Sequence, residues 1–386
     1  MASLITRIKS DKIIIQNGIF DGFVYITDGK ISEVTKQEKA CDFEFDYTGF
    51  YVSPGFIDIH THGAGGYCFL NSSEDDVVNG CNFHLKYGTT TILPTVSASP
   101  FAEIRKSVAD IAAAIKSGRC LNNVLGAHIE GPYLSANQCG AQCPDFITAP
   151  IESEYKTLVE QYGKYIKRWT YAPENDADGA FCKYITSNNI IASAGHTDAK
   201  YEDIMRAQKN GCNLVTHLYS CTSTVTRDKG FRSLGVIESA YLMDELFVEI
   251  IADGRHLPKE LVQMIIKIKG TDKVAFITDS LEIAGTDIKE GFTGGTHFIV
   301  EDGVCKLRDR SAFAGSVATA DRLIRFVVKE CLLSVSDAVK MLTEVPASIL
   351  GVKKGVITEG YDADIVVFDD DILVTDVFVS GKHIDF

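Results

Sequence analysis

The sequence lacks both long hydrophobic runs and an excess of positive charge. No stretch approaches the roughly 18 consecutive apolar residues that a membrane helix needs, and the N-terminal segment has too short an apolar run for a secretion signal. The 38 Lys and Arg are outnumbered by 52 Asp and Glu, which gives a formal net charge of −14. Because such a surface repels phosphate backbones, nucleic acid is not an expected partner. We predict a cytoplasmic protein with no membrane or nucleic-acid partner.

Signs of disorder, internal repeats and a disulfide framework are absent as well. Hydrophobic residues make up 45% of the 386 residues and charged residues 23%, proportions typical of a globular protein. The 11 cysteines are an odd number and are scattered, which favours reduced thiols. At about 150 residues per domain, the length fits two or three domains, or one large barrel with an addition.

The two ends of the chain share a β-rich pattern. Near the N-terminus, short runs of β-branched and aromatic residues are separated by turn signals such as Asn17-Gly18. Similar runs occur near the C-terminus. We predict that segments 1–52 and 355–386 pair into a small discontinuous β-sandwich domain, which encloses a barrel domain over residues 53–354.

The middle of the chain alternates apolar runs with amphipathic segments. The amphipathic segments are typical of helices, and several end at a glycine that fits a helix C-cap, such as Gly88 and Gly118. Eight strand-and-helix units predict a (β/α)8 TIM-like barrel. A doubly wound sheet is disfavoured because no glycine-rich phosphate-binding fingerprint follows the first run. The eight runs cover residues 56–59, 90–96, 124–129, 165–171, 190–194, 214–216, 247–252 and 274–278.

Polar side chains recur directly after these runs, where a barrel places its active site. They are His60, His62, Glu130, His196, His217, His256 and Asp279. Residues i and i+2 of a strand face the same side, so the first two imidazoles can reach one ion. Glu130, His196 and His217 form a three-ligand set with room for water, as in catalytic metal sites. Taken singly, Glu130 also fits a buried loop cap, the histidines fit ordinary core residues, and Asp279 fits a helix N-cap.

This set resembles the metal-binding residues of the amidohydrolase superfamily, and the surrounding segments are similar to those of N-acetylglucosamine-6-phosphate deacetylases. The order and approximate spacing of the segments hold over essentially the whole chain. The resemblance implies hydrolysis of the N-acetyl group of N-acetylglucosamine 6-phosphate to glucosamine 6-phosphate and acetate, a step of amino-sugar catabolism. The matching segments are 52–63, 128–134, 194–197, 216–218, 251–256, 278–279, 314–316 and 360–366.

The resemblance implies one or two divalent metals per chain, zinc in the first place, with iron or manganese as alternatives. Glu130, His196 and His217 would bind the metal that is common to the family. His60 and His62 would support a second ion, bridged by Glu130. Asp279 would take the proton of the attacking water and deliver it to the departing amine.

The resemblance also implies contacts to the substrate, with departures from the family pattern. His256 would contact the sugar, and Arg232 would pair with the 6-phosphate, often across the subunit boundary of a homodimer. Ser220 stands where the family has Asn in a Phe-Asn-Ala-Met segment, and Gln142 stands where the family has His. Ser220, Gln142 and its neighbour Ala141 are predicted as further substrate contacts. These departures leave the chemistry intact but leave the sugar epimer and the 6-phosphate open.

Three alternatives remain open. The same deacetylation on N-acetylgalactosamine 6-phosphate or another N-acyl amino sugar would use the same residues. A cyclic-amide hydrolase of the superfamily commonly bridges two metals with a carboxylated Lys, whereas Glu130 stands at that strand end. A catalytically inactive barrel that senses sugar phosphates would have no need of a general base at Asp279.

Overall fold

A computed structural model of the protein describes residues 4–293 and 295–385. Its strands and helices are numbered along the chain. None of the helices in those two ranges has both the length and the apolar character that crossing a membrane requires.

The strands near the two ends of the chain pair with one another in a single sheet. They are β1 (Ile5–Ile15), β2 (Gly18–Thr27), β3 (Lys30–Thr35), β4 (Phe43–Asp46), β5 (Tyr51–Pro54), β22 (Ile365–Phe368), β23 (Val374–Val379) and β24 (Lys382–Ile384). Their order is β24-β23-β22-β5-β1-β2-β3, and β4 also pairs with β1. The register of β1 shifts between Ser10 and Ile13, so its first part pairs with β4 and its last part with β5. This split lets the sheet fold over a shared core that includes Ile8, Val24 and Phe378.

The eight predicted runs form a parallel barrel. Its strands are β6 (Phe56–Thr61), β9 (Thr89–Val96), β11 (Ala127–Glu130), β12 (Ile166–Tyr171), β13 (Ile191–Ala194), β14 (Leu214–Val215), β17 (Phe247–Ile250) and β18 (Val274–Phe276). Each strand pairs in parallel with the next one in this order. The ring closes beyond β18, where the Asp279 N–H donates to the His60 carbonyl at 2.9 Å and the His62 N–H donates to the Ser280 carbonyl at 2.8 Å.

Helices cover the outside of the barrel. They are α1 (Glu74–His84), α2 (Phe101–Ser117), α3 (Glu152–Tyr162), α4 (Ala180–Ser187), α5 (Tyr201–Lys209), α6 (Val236–Leu242), α7 (Lys259–Lys269), α8 (Ala320–Lys329), α9 (Val335–Met341) and α10 (Glu344–Leu350). One helix follows each of the first seven barrel strands, and the last three follow β18. α1 begins after Ser73, whose Oγ accepts the Asp76 N–H in a capping box. Gly118 ends α2 with a φ of 67°, the left-handed C-cap that its position predicts.

The interface between strands and helices is the main core. Ile104, Val108 and Ile111 recur at helical spacing on α2 and are fully buried, in the same cluster as Ile92 and Val96 of β9. Burying such a side chain contributes roughly 1.5–3 kcal/mol. This packed layer holds the strand ends in place, and the candidate site is built on those ends.

Several strands lie outside the predicted pattern. An antiparallel sheet of β19 (Glu290–Thr293), β20 (Thr296–Glu301) and β21 (Val304–Leu307) is inserted between β18 and α8. Two small hairpins are β7 (Gly63–Ala64) with β8 (Tyr67–Cys68), and β15 (Thr226–Asp228) with β16 (Phe231–Ser233). A short strand, β10 (Asn123–Val124), pairs with β9 ahead of β11.

The predicted fold class, a (β/α)8 TIM-like barrel with a small discontinuous β domain formed by both ends of the chain, is confirmed. The strands of that domain belong to one continuous sheet, which folds over its own core. The single run expected at 124–129 is wrong in detail, because the chain is interrupted at Gly126, where φ is 150°, and forms β10 and β11 instead. The interpretation of Asp279 as a helix N-cap is also wrong, since no helix of the described residues begins there. The division into 1–52 plus 355–386 and 53–354 stays a prediction.

Candidate active site

The six residues predicted for metal binding and proton transfer meet at the C-terminal end of the barrel. Glu130 is the last residue of β11, and His60 lies in β6 with His62 just beyond it. His196, His217 and Asp279 follow the ends of β13, β14 and β18 within three residues. All six residues are buried. The structure therefore brings together side chains that lie more than 200 positions apart in the sequence.

Three of these residues have a left-handed backbone. φ is 47° at His196, 26° at His217 and 46° at Asp279, a region that residues other than glycine rarely occupy. Each such residue costs about 1–3 kcal/mol. Hydrogen bonds hold the turns in place, as from the Ser316 N–H to the Asp279 carbonyl at 2.8 Å. The chain thus turns sharply at the strand ends, and the three side chains stay at the mouth of the barrel.

The first group consists of Glu130, His196 and His217. Glu130 Oε1 lies 3.2 Å from His196 Nε2 and 3.0 Å from His217 Nε2, and the two Nε2 atoms are 3.1 Å apart. The Nδ1 atoms donate to backbone carbonyls, at 2.9 Å to Gln138 and at 3.0 Å to Ser220. A neutral imidazole that carries its proton on Nδ1 presents a lone pair on Nε2. With both imidazoles neutral, three acceptors converge on one point, which is the arrangement that a bound cation satisfies.

The second group consists of His60, His62 and Asp279, and it shares Glu130 with the first. Asp279 Oδ1 lies 3.4 Å from His60 Nε2 and 3.2 Å from His62 Nε2. The two Glu130 oxygens lie 3.3 Å from the same two nitrogens. His62 Nδ1 is hydrogen-bonded to Ser97 Oγ at 2.9 Å. Within each group, one ligand atom from every member lies within 4.8 Å of the others.

Opposite charges dominate the electrostatics of the cluster. Burial alone would raise the pKa of Glu130, but His60 and His196 hold that pKa well below its usual value. Burial also opposes ionisation of Asp279, yet His60 and His62 lower its pKa to about 2. In the other direction, burial disfavours the charged form of His60, but Glu130 and Asp279 raise its pKa to about 10. The two carboxylates stay ionised and require positive charge beside them, from protons or from metal ions.

A cavity of about 370 Å³ opens above this cluster. Leu281 and Phe298 form part of an apolar wall, together with Ile251 and Phe313. Phe298 belongs to β20, so the inserted antiparallel sheet supplies one side of the cavity. The space suits a small ligand with one polar end on the cluster and an apolar flank.

Four of the five residues predicted for substrate binding line this cavity: His256, Ala141, Gln142 and Ser220. His256 Nδ1 donates to Asp253 Oδ2 at 3.0 Å, which fixes the ring and leaves Nε2 free of that bond. Gln142 Nε2 donates to Glu130 Oε2 at 2.7 Å, and its Oε1 accepts the Ala98 N–H at 2.9 Å. Gln142 therefore braces the central carboxylate. The predicted contacts to the sugar stay predictions.

Arg232 is not brought to the cavity of its own chain. It lies on β16 in an exposed hairpin, where its Nη1 donates to the Gly230 carbonyl at 3.1 Å. Phe231 beside it is 80% exposed. Of the described residues that line the cavity, none is Lys or Arg.

Sequence reasoning missed several residues around the site. Ser97 follows β9 directly, so the strand-end pattern that found the histidines could have found it as well. Cys221 lines the cavity beside His196 but carried no signal of its own. Glu249 is a single charge within the apolar run 247–252. It forms a buried ion pair with Arg168, which stands beside Lys167 in the run 165–171. Phe298 belongs to the insertion, which was not predicted.

A parallel barrel that carries four histidines and two carboxylates at its mouth is the architecture of a metal-dependent hydrolase. The amidohydrolase family model matches residues 51–384, so the chain belongs to that metal-dependent family. Within it, the chain belongs to the N-acetylglucosamine-6-phosphate deacetylases.

Similarity to individual proteins extends over nearly the whole chain. The N-acetylglucosamine-6-phosphate deacetylase of Lysinibacillus sphaericus is 30% identical over 370 residues, which cover 93% of this chain and 92% of that protein. The N-acetylgalactosamine-6-phosphate deacetylase of Shewanella sp. (strain ANA-3) is 29% identical over 367 residues, covering 93% and 90%. A mutant N-acetyl-D-glucosamine-6-phosphate deacetylase of Mycobacterium smegmatis, solved in complex with N-acetyl-D-glucosamine-6-phosphate, has a TM-score of 0.91 and 25% identity, covering 99% of each chain.

Proposed function

We propose that the protein hydrolyses the N-acetyl group of N-acetylglucosamine 6-phosphate to glucosamine 6-phosphate and acetate. The observation that supports this most is the set of four imidazole Nε2 atoms around Glu130, with Asp279 beside them, below an open cavity. Such a set suits hydrolysis of an amide. The relatives act, by their names, on N-acetylated amino sugar phosphates.

The donor set fits one or two divalent cations. Glu130, His196 and His217 would hold the first ion, and His60 and His62 would hold a second ion that shares Glu130. When bound, such an ion lowers the pKa of water and polarises the acyl oxygen. Imidazole and carboxylate ligands suit zinc, which we propose as the metal, with iron or manganese as alternatives.

Asp279 has the position and the charge of a general base. It is ionised, and its Oδ1 lies within 3.4 Å of both His60 and His62. It accepts a proton from the water that attacks the acetyl carbonyl and then delivers a proton to the departing amine nitrogen. The bond between carbonyl carbon and nitrogen breaks, and the products are acetate and the free amino sugar.

The remaining cavity residues position the substrate. His256, fixed through Nδ1 by Asp253, offers Nε2 to a sugar hydroxyl, and Ser220 offers a hydroxyl group. Phe298 and Leu281 exclude water from the acyl group. Because no Lys or Arg among the described residues lines the cavity, we propose that the phosphate pairs with Arg232 of a second copy in a cytoplasmic homodimer.

A second candidate is deacetylation of N-acetylgalactosamine 6-phosphate. The Shewanella relative of that name is almost as similar to the chain as the Lysinibacillus protein. In addition, Gln142 stands where the family pattern has a histidine. Both polar atoms of its side-chain amide are hydrogen-bonded within the protein, Nε2 to Glu130 and Oε1 to the Ala98 N–H. The sugar-facing contacts therefore differ from those of the family pattern.

The proposal is tested by measuring acetate release from N-acetylglucosamine, N-acetylgalactosamine and N-acetylmannosamine, each with and without a 6-phosphate. The expected result is the highest kcat/KM on N-acetylglucosamine 6-phosphate. Preference for the galacto epimer would assign the second candidate. No acetate from any phosphorylated sugar, by enzyme shown to contain metal, would overturn both.

A further inference from the structure

A fully buried arginine crosses the interior of the barrel beneath the metal-ligand cluster. Arg168 on β12 donates from Nε to Ser193 Oγ at 3.0 Å, from Nη1 to the Ile59 carbonyl at 3.2 Å and from Nη2 to Thr216 Oγ1 at 2.8 Å. Its two remaining N–H groups meet the Glu249 carboxylate on β17. Every donor of the guanidinium is thus used, and the contacts reach β6, β13, β17 and the residue that directly follows β14.

The partner of this arginine faces His60. Glu249 Oε2 accepts from Arg168 Nη2 at 2.7 Å and lies 3.6 Å from His60 Nδ1. Both residues of the ion pair are 0% exposed. The Arg168 fork fixes the direction of the carboxylate, because a bidentate pair has one favourable geometry.

His60 differs from the other three histidines of the cluster. The Nδ1 atoms of His62, His196 and His217 each have a hydrogen-bond partner at 3.0 Å or less. Both ring nitrogens of His60 are buried without such a partner among the described residues. Its Nε2 faces Glu130 and Asp279, and its Nδ1 faces Glu249. A metal-ligating histidine usually donates its second N–H to a carboxylate or carbonyl, and for His60 the acceptor in place is Glu249.

A role in stability alone explains the buried ion pair of Arg168 and Glu249 less well than a role in orienting His60. A buried ion pair is costly to desolvate, and well-packed apolar residues often replace one without loss of stability. Stability alone therefore does not explain why the carboxylate stands against the ring of a ligand. The neighbouring His128, packed edge-on against His60 at 4.5 Å between ring centroids, fixes the ring from another side.

We propose that Glu249 is a positioning residue, which accepts the Nδ1–H of His60 so that Nε2 points to the second metal position, and that Arg168 holds Glu249 for this task. The inference rests on the proposed function only in requiring a second ion. Outer partners of this kind typically change metal affinity by 10–100-fold when removed.

The test compares zinc binding by the wild type, Glu249→Leu and the double variant Arg168→Met/Glu249→Leu, because a Gln side chain would still accept the Nδ1–H of His60. Zinc is titrated into apoprotein against a chromophoric chelator, and the zinc content of dialysed protein is measured by mass spectrometry. We expect the weaker of two zinc sites to lose about 10–100-fold in affinity in both variants, while the stronger site changes little. In the single variant, the charge of Arg168 is buried without a partner, which can impair folding. The double variant lacks this charge, so zinc binding can still be measured if the single variant folds poorly.

The two roles of Glu249 predict opposite results for the double variant. If Glu249 only neutralises Arg168, removing both charges restores wild-type affinity at both sites, and that result would overturn the proposal. A wild type that binds a single zinc would overturn it as well. The matched control is the buried pair Lys354 and Asp364, joined at 2.7 Å in the terminal sheet region. Lys354→Met/Asp364→Asn should leave both zinc affinities unchanged.

Failure of this proposal is distinguishable from failure of the proposed function, because zinc titration needs no substrate. If the wild type releases acetate and the double variant has the same zinc affinities as the wild type, only the role of Glu249 is contradicted. If the wild type binds two zinc ions but releases no acetate, only the proposed substrate is contradicted. Co²⁺ substitution gives a further readout, since the absorption of the second ion should change in Glu249→Leu.

Discussion

Replacing Asp279 by Asn isolates the proton transfer from the rest of the site. The side chain keeps nearly the same volume, and its amide still reaches the region 3.2 Å from His62 Nε2 and 3.4 Å from His60 Nε2. What it loses is the ionised carboxylate, which the two histidines maintain at a pKa of about 2 against the opposing effect of burial. An amide cannot accept the proton of the attacking water.

The expected magnitude follows from the role of a general base. General acid–base catalysis contributes typically about 10²–10⁴-fold in rate, which corresponds to a barrier higher by about 2.7–5.4 kcal/mol. Asp279 serves in both proton transfers, so we expect kcat to fall by about 10³-fold or more. KM should change by less than about threefold, because the predicted sugar contacts lie on other residues.

The assay is acetate release at saturating substrate, with zinc content measured on the same samples. The zinc measurement separates loss of proton transfer from loss of a ligand. The matched control is Asp272→Asn, which removes a carboxylate that pairs with Lys340 on the surface and is 74% exposed. It should leave kcat unchanged. An Asp279→Asn variant that retains its metal and more than about one-tenth of wild-type kcat would refute the reasoning.

Three further predictions concern the metal, the phosphate and the terminal sheet. Removal of metal by a chelator should abolish acetate release and lower the melting temperature, and zinc should restore both; activity that survives complete removal contradicts a metal-dependent site. Arg232→Ala should raise KM for phosphorylated sugars and leave unphosphorylated ones unaffected; an equal rise for both contradicts a phosphate contact. Burial alone would raise the pKa of Asp362, but Lys30 and Lys354 hold this pKa below its usual value. The ionised Asp362 therefore stabilises the fold above the unfolded pKa of about 3.9, and this stabilisation is lost as pH falls. Asp362→Asn should therefore lower the free energy of unfolding by about 1 kcal/mol at neutral pH, and the difference from wild type should vanish near pH 2. Denaturant titrations at both pH values measure this difference. An equal loss of stability at both pH values contradicts the prediction.

The site could be predicted largely from the sequence because a barrel imposes a simple relation between order and position. A polar residue that directly follows a buried strand lies at one mouth, whatever its distance along the chain. That relation placed Glu130, His196, His217 and Asp279 together. It also applied to Ser97, whose Oγ contacts His62 Nδ1 at 2.9 Å.

The rest depended on contacts that a sequence pattern does not specify. Nothing in the apolar run around Arg168 indicates that its partner is Glu249, 81 positions away. The β19–β21 insertion carries a readable hairpin signal in Asp302-Gly303, which forms the two-residue turn between β20 and β21. That signal predicts two paired strands, but not that Phe298 on one of them lines the cavity.

Two kinds of departure from ordinary local preference lie together at this site. His196, His217 and Asp279 occupy left-handed backbone that favours glycine, at about 1–3 kcal/mol each. Arg168 and Glu249 place opposite charges in the barrel interior, where apolar residues would be cheaper to bury. Natural sequences break such local preferences mainly where function requires it. Because both kinds of violation converge on the same set of metal ligands, the strained turns and the buried ion pair are best understood as parts of one device that fixes four imidazoles around Glu130.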